Sequence, residues 1–384
     1  MQYRILILDN ELEMGGKEKK LFEFVSRTDR SRFAISVCCL KEGGYFKSKL
    51  ENLGVPFYEK LLRHRYDAFA YRGLAAVLRR ERTQLIYTFG HPNTVIFSYF
   101  ARLRGQVERF VVSYHATGDT VEGRQVPHYL LPLLRRADAI VAVAETHRDY
   151  LAAQEGLPRE AIRVIHNGVD ATVYRPGSPD ERAEVRRGLG IGGSDLVFMA
   201  VGSLKPLKRI DLFLRAAAPL MKRNPAALIV LVGDGPDRGA LTALAESLGI
   251  GGRVVFTGVR DDVNVMFRAA DALVLPSRTE AFPNVVLEAM ATGLPVITTD
   301  VGSVREMVED GRSALVVPRE DEAALRAAIE RMAADARLRS ALGVRGRAIV
   351  DARFRIETMC AAREALFEEL LSREGPVVAG TGWR

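Results

Sequence analysis

Short, consecutive apolar runs alternate with amphipathic stretches along the whole chain. In the first half the runs fall at 3–9, 33–40, 85–89, 109–115 and 139–144; in the second at 196–203, 227–234, 253–258, 272–277, 295–299 and 314–318. Runs that are apolar at successive positions predict parallel strands buried on both faces, not a half-exposed antiparallel sheet. The stretches between them carry helical periodicity, as at 211–223, 322–336 and 355–372. Repeated β-α units predict a parallel sheet with right-handed crossovers. The pattern lapses near 176–195, where proline, glycine and charge crowd together and read as a linker. The expected class is α/β, with two doubly wound Rossmann-like domains, 1–187 and 188–352. A last helix and tail follow at 353–384, with residues 375–384 frayed.

The chain has 384 residues, 48% of them hydrophobic, enough for two cores. No apolar run approaches the roughly 20 residues of a membrane span, and the first residues lack the apolar core and cleavage site of a signal peptide. A cytoplasmic location is expected. Cys38, Cys39 and Cys360 show no metal-type spacing and read as buried thiols in a reducing compartment. The net charge of +7 resides entirely in the first 190 residues, and the remainder is neutral. Part of it is dense, with Lys60, Arg63, Arg65, Arg72, Arg79, Arg80 and Arg82 among apolar and aromatic residues. Such a stretch suits peripheral contact with an anionic membrane on the inner leaflet, or a solvated basic face. No nucleic-acid partner is expected.

The segment 275–299 carries the most chemistry. A buried strand ends at Pro276, Glu280 follows in a loop, and Pro283 and Asn284 lead into a helix that holds Glu288 about one turn in. Gly293 and Pro295 close the helix before the next strand. Ligands of open α/β sheets bind beyond the carboxyl ends of strands, and helix N-termini there offer free amides to phosphates. A carboxylate beside such a site makes strong hydrogen bonds to sugar hydroxyls. Gly188, Gly190 and Gly193 satisfy a G-x-G-x-x-G pattern. They precede a strand instead of following one, so no dinucleotide site is expected there.

Glu280 and Glu288, separated by seven residues within TEAFPNVVLEAMATGLPVI, resemble the signature of glycosyltransferase family 4, of the GT-B fold. The resemblance implies two Rossmann-like domains facing a cleft, with the last helix crossing back to the first. It implies that Glu280 contacts the donor sugar and Glu288 the ribose, and that the backbone of Phe282, Pro283, Asn284 and Val285 holds sugar and diphosphate. Gly15 and Gly16 match a glycine-rich loop facing the diphosphate and acceptor, and His115, ending a strand, matches a histidine near the donor sugar. Lys208 matches the lysine that neutralises the departing diphosphate. Ser203 stands where an arginine is usual, leaving Lys205 or Arg209 to supply a second charge. Val259 and Arg260 match the segment that holds the base. The implied activity is a retaining, nucleotide-sugar-dependent transferase using a UDP- or GDP-sugar. The acceptor would be a glycan, a lipid-linked sugar or a small molecule, in cell-envelope or exopolysaccharide biosynthesis. No cofactor is required, and no Asp-x-Asp metal site stands in a suitable loop. The alternatives are a nucleotide-sugar epimerase or hydrolase of the same fold, or a non-catalytic sugar-binding protein.

Overall fold

The computed structural model describes residues 2–13, 15–62, 67, 70–115 and 126–372. Its elements alternate as the pattern predicts. In the first part they are β1 (Tyr3–Asp9), α1 (Gly16–Arg27), β2 (Phe33–Cys39), α2 (Lys47–Asn52), β3 (Phe57–Tyr58), α3 (Ala70–Glu81), β4 (Leu85–Phe89), α4 (Pro92–Leu103), β5 (Arg109–Ser113), α5 (Leu131–Leu134), β6 (Ala139–Ala142), α6 (Glu145–Ala153) and β7 (Ile162–Val164). Then come α7 (Pro179–Gly188), β8 (Leu196–Val201), α8 (Ile210–Arg223), β9 (Ala227–Val232), α9 (Arg238–Ser247), β10 (Val254–Gly258), α10 (Val263–Met266) and β11 (Ala272–Leu275). The chain continues with α11 (Asn284–Ala291), β12 (Val296–Thr299), α12 (Val304–Met307), β13 (Ala314–Val317), α13 (Glu322–Ala334), α14 (Ala336–Arg353) and α15 (Ile356–Ser372).

Two compact units emerge. One comprises residues 1–167 with 356–384, the other residues 168–355. The first holds a seven-stranded sheet in the order β3-β2-β1-β4-β5-β6-β7, the second a six-stranded sheet in the order β10-β9-β8-β11-β12-β13. Strand pairing is parallel throughout both sheets. Each sheet reverses direction of travel once, between β1 and β4 and between β8 and β11, and these are the switch points at which such sheets bind ligands. The strands are apolar on consecutive positions because helices cover both faces. In the first unit Ile5, Ile7, Leu85 and Tyr87 pack on one side, while Leu6, Leu8, Ile86 and Val112 pack on the other.

Two edge strands, β3 and β7, have only two and three residues, too few for a pattern to stand out in the sequence. The segment 176–195 is a correction. It is no linker, and residues 168–187 belong with the second unit instead of the first. Ser178 and Glu181 cap α7 reciprocally, with Pro179 at its first turn. Arg186, 2% exposed, donates to the carbonyls of Ala269, Gly192, Gly193 and Asp195 and to the Asp271 carboxylate at 2.8 Å. Arg182 binds Asp271 from the same helix at 2.7 Å. Charge within a segment that reads as a linker forms an internal clamp.

Helix α15 packs into the first unit. Phe367 meets Phe24, Phe33 and Tyr87 at ring distances of 6.0, 6.3 and 5.5 Å, and Ile356, Met359, Cys360, Leu366 and Leu370 are buried with it. The Arg109 guanidinium, itself buried, donates to the Leu370 carbonyl. All three cysteines are buried free thiols, and burial pushes Cys38 up to about 12 and Cys360 to about 11. Among the described residues no helix is long and apolar enough to cross a membrane.

Candidate functional site

The site of the second unit forms where β8 and β11 part. The chain leaves β8 through Gly202 and Ser203, makes a 3₁₀ turn at Pro206–Lys208, and enters α8 through Arg209 in the left-handed region, φ 48°. This loop lies against the one after β9. The Leu204 amide donates to the Asp234 carbonyl at 2.9 Å. A Cβ on Gly233, whose φ is 130°, would stand 2.0 Å from the Gly202 carbonyl oxygen, so only glycine permits the approach.

The loop after β11 meets it from the other side. The Arg278 amide donates to the Leu207 carbonyl at 2.8 Å, and the Lys208 ammonium donates to Glu280 Oε1 at 2.6 Å. Ser277, fully buried, donates its hydroxyl to the same oxygen at 2.7 Å. Lys208 and Glu280, 72 residues apart in the chain, therefore form one ion pair. Their side chains are 28% and 14% exposed, so the pair is partly sheltered but reaches solvent. A pocket beside it is lined by Gly202, Ser203, Lys208, Ile210, Pro276 and Ser277.

Glu280 is positioned by contacts that sequence reading missed. Thr299, ending β12, donates to the Ser277 carbonyl at 2.6 Å. Ser303 donates its hydroxyl to the Ala281 carbonyl at 2.8 Å. Gly302, φ 50°, passes so close that a Cβ there would stand 1.8 Å from the Glu280 carbonyl oxygen. The glycine and serine just after a buried strand were the available signal, but nothing local says which loop they brace.

The other residues singled out in this unit are distributed as follows. Glu288 is buried on α11. Pro283 is the N-cap, Asn284 and Val285 open the helix, and the Val286 amide donates to the Pro283 carbonyl at 3.0 Å. The Phe282 side chain is buried against Phe354, at 6.1 Å between rings. Val259 and Arg260 follow β10, two strands from β8. Val259 is exposed and Arg260 is held by Asp262 at 2.6 Å. Asp211 and Glu320 engage the Arg209 guanidinium. Lys205 is exposed.

In the first unit Gly15 caps α1 and Gly16 begins it. Asp9, at the end of β1, is 1% exposed and accepts from Lys17 at 2.6 Å and from the Asn10 amide at 2.8 Å. Burial holds its carboxyl up at about 6 against these two partners. Lys17 also meets Glu18 at 3.2 Å and lies 4.9 Å over the Phe89 ring. His115 hydrogen-bonds Ser113 at 2.9 Å and packs on Phe89 at 5.3 Å. Burial, then the nearby charges of Arg363 and Lys17, holds its imidazole well below the usual range, so it is neutral. Asp9 and Lys17 were not singled out in the sequence. Among the described residues no group of three histidine, cysteine or acidic side chains is placed to hold a metal.

Two doubly wound parallel sheets, each with polar residues at its switch point, define a protein of the two-domain, doubly wound α/β class. Residues 14–173 match the family model for Glycosyltransferase Family 4, and residues 181–349 match that for Glycosyl transferases group 1. The chain belongs to this family of glycosyltransferases. It is 38% identical to D-inositol 3-phosphate glycosyltransferase of Nocardia farcinica, over 48% of this chain and 42% of that protein. The chain spans about half the length of the curated relatives of that name. It is 26% identical to N-acetyl-alpha-D-glucosaminyl L-malate synthase of Bacillus anthracis, over 80% of each. The solved structure of Anabaena HepE in complex with UDP-glucose shares the fold, with a TM-score of 0.83 at 24% identity over 96% of this chain and 99% of that one.

Proposed function

We propose that the chain transfers a sugar from a UDP-sugar to an acceptor hydroxyl with retention of anomeric configuration. The observation that carries this reading is the Lys208–Glu280 pair at the β8/β11 switch point, beside the start of α11. Cleavage of the anomeric C–O bond leaves its electron pair on the diphosphate. Lys208 and the first amides of α11 stabilise that charge as it develops. When the ammonium turns to the diphosphate, Glu280, still held by Ser277, accepts from a hydroxyl of the donor sugar. The acceptor oxygen bonds to the anomeric carbon on the face the diphosphate leaves, and its proton passes to a departing phosphate oxygen. Glu288 is assigned to the ribose, the segment at Val259 and Arg260 to the base, and the neutral His115 to a sugar hydroxyl. UDP is preferred to GDP because Anabaena HepE, which shares the fold, has been solved in complex with UDP and with UDP-glucose.

The test is transfer from UDP-glucose, UDP-N-acetylglucosamine and GDP-mannose to inositol 3-phosphate, L-malate and neutral sugars. The product is read by NMR. An α-linked product, formed with EDTA present, supports the reading. A β-linked product overturns retention, loss of activity in EDTA restored by Mg²⁺ overturns metal independence, and donor turnover without acceptor favours a hydrolase.

A second reading concerns location. On α3, Arg72, Arg79 and Arg80 are exposed while Leu74, Val77 and Leu78 are buried, and on α4 Phe100 and Leu103 are exposed at 40% and 65%. Arg104 lies over the Tyr71 and Phe100 rings. Arg63 and Arg65 fall outside the described residues. Exposed apolar side chains bordered by arginines are the surface a peripheral enzyme lays on anionic lipid, and this patch is proposed to bring the protein to the inner leaflet.

A further inference from the structure

Arg363, on α15, is 2% exposed, yet it makes no ion pair or hydrogen bond among the described residues, and its Nε is sealed from solvent. Its guanidinium stands 5.2 Å from the Phe24 ring and 5.9 Å from the Tyr87 ring. The Tyr87 hydroxyl is also buried without a partner. Two positions along β4, Phe89 packs on Tyr87 at 5.5 Å and carries Lys17 at 4.9 Å over its ring, with His115 at 5.3 Å. The Asn10 side-chain oxygen, at the end of β1, is a further buried polar atom left unpaired. Asn10 and Phe89 lie at the carboxyl ends of β1 and β4, the switch point of the first sheet, with Tyr87 two positions before the end of β4 and Arg363 against its ring.

Burying an arginine costs folding free energy unless an anion accompanies it. Contacts with ring faces offset only part of that cost. Lys17 has Asp9 and Glu18, whereas Arg363 has no carboxylate of its own among the described residues. The charge also acts at the switch point, since it is one of those that keep the His115 imidazole neutral. A cation held unpaired against the ring of a tyrosine whose hydroxyl is also unpaired suits an anion that also bears hydroxyls.

We infer that Arg363, with the Tyr87 hydroxyl and Lys17, forms a subsite for an oxyanion, a carboxylate or phosphate carried by the acceptor. The inference rests on the transferase reading for the ligand's role, and it makes Arg363 a determinant of acceptor specificity.

The test measures melting temperature at constant ionic strength in chloride, with inorganic phosphate or succinate added, and separately with UDP. In the wild type, phosphate or succinate raises the melting temperature, and whichever acts identifies the acceptor's anion. Arg363→Met, of similar length and uncharged, melts higher than wild type in chloride and loses the response to the anion, with affinity lowered about tenfold or more. Its response to UDP is unchanged, because Lys208, Glu288 and the segment at Val259 and Arg260, which are assigned to UDP, lie in the other unit. Lys17→Met is the second variant should Arg363→Met not fold, and it too weakens the anion response. An Arg363→Met protein that melts lower in chloride and keeps the full response would show that the arginine is structural and overturn the inference. So would a wild type indifferent to both anions. A wild type that responds to the anion but not to UDP keeps the subsite and removes the transferase reading.

Discussion

Ser277 donates to the Glu280 carboxylate, and Gly302 passes against the Glu280 carbonyl. Glu280, Glu288 and Lys208 stand out because strand, loop and helix follow one another in a recognisable order. Ser277, Thr299 and Gly302 brace Glu280 through contacts that no short window contains. Gly302 gives one prediction. Gly302→Ala must relieve a contact of 1.8 Å at a positive φ, so it displaces the Glu280 loop. A stability loss of about 1–3 kcal/mol by urea unfolding is expected, with weaker donor binding. Unchanged binding would contradict the bracing role. Asp9 gives another. Its carboxyl sits at about 6 in the folded chain against an ordinary value of 3.8, chiefly through burial. The folded state then binds the proton more tightly than the unfolded state between these values. Stability contributed by Asp9 is therefore greatest below pH 4 and falls as pH rises to 6, by at most about 3 kcal/mol. Subtracting the Asp9→Asn profile isolates this component, and superimposable profiles would contradict it.

Elements are legible where burial is two-sided. Strands covered on both faces must be apolar at every position, and the runs at 3–9, 227–234 and 272–277 lie on β1, β9 and β11 for that reason. The two- and three-residue edge strands leave no such trace. Helix α7 misleads because its arginines are spent on carbonyls and Asp271 inside the second unit, a use that composition cannot distinguish from solvation. Helix α15 reads correctly as an amphipathic helix, and its ring cluster makes it essential to the first unit. Phe367 is fully buried among three aromatic rings, so Phe367→Ala should cost about 3–5 kcal/mol by urea unfolding. Truncation after Arg355 should give unstable protein, whereas removing 375–384, outside the described residues, should be tolerated. A stable 1–355 fragment would contradict the role given to this helix.

At the scale of the molecule, the uneven charge bears on location and the second switch point on chemistry. If the basic patch with Phe100 and Leu103 meets anionic lipid, the protein cosediments with phosphatidylglycerol vesicles at low salt. Binding weakens as salt screens the patch and drops when Arg79, Arg80 and Arg82 become glutamate. Equal recovery with neutral vesicles would leave only a basic surface. Calorimetric titration with UDP asks directly whether the Lys208–Glu280 pair marks a nucleotide-sugar site. Saturable binding of UDP to the wild type is expected, weakened about tenfold or more in Lys208→Met, on the scale of one charge-assisted contact. A wild type that binds neither UDP nor GDP, or a folded Lys208→Met that binds UDP as tightly as the wild type, would contradict it.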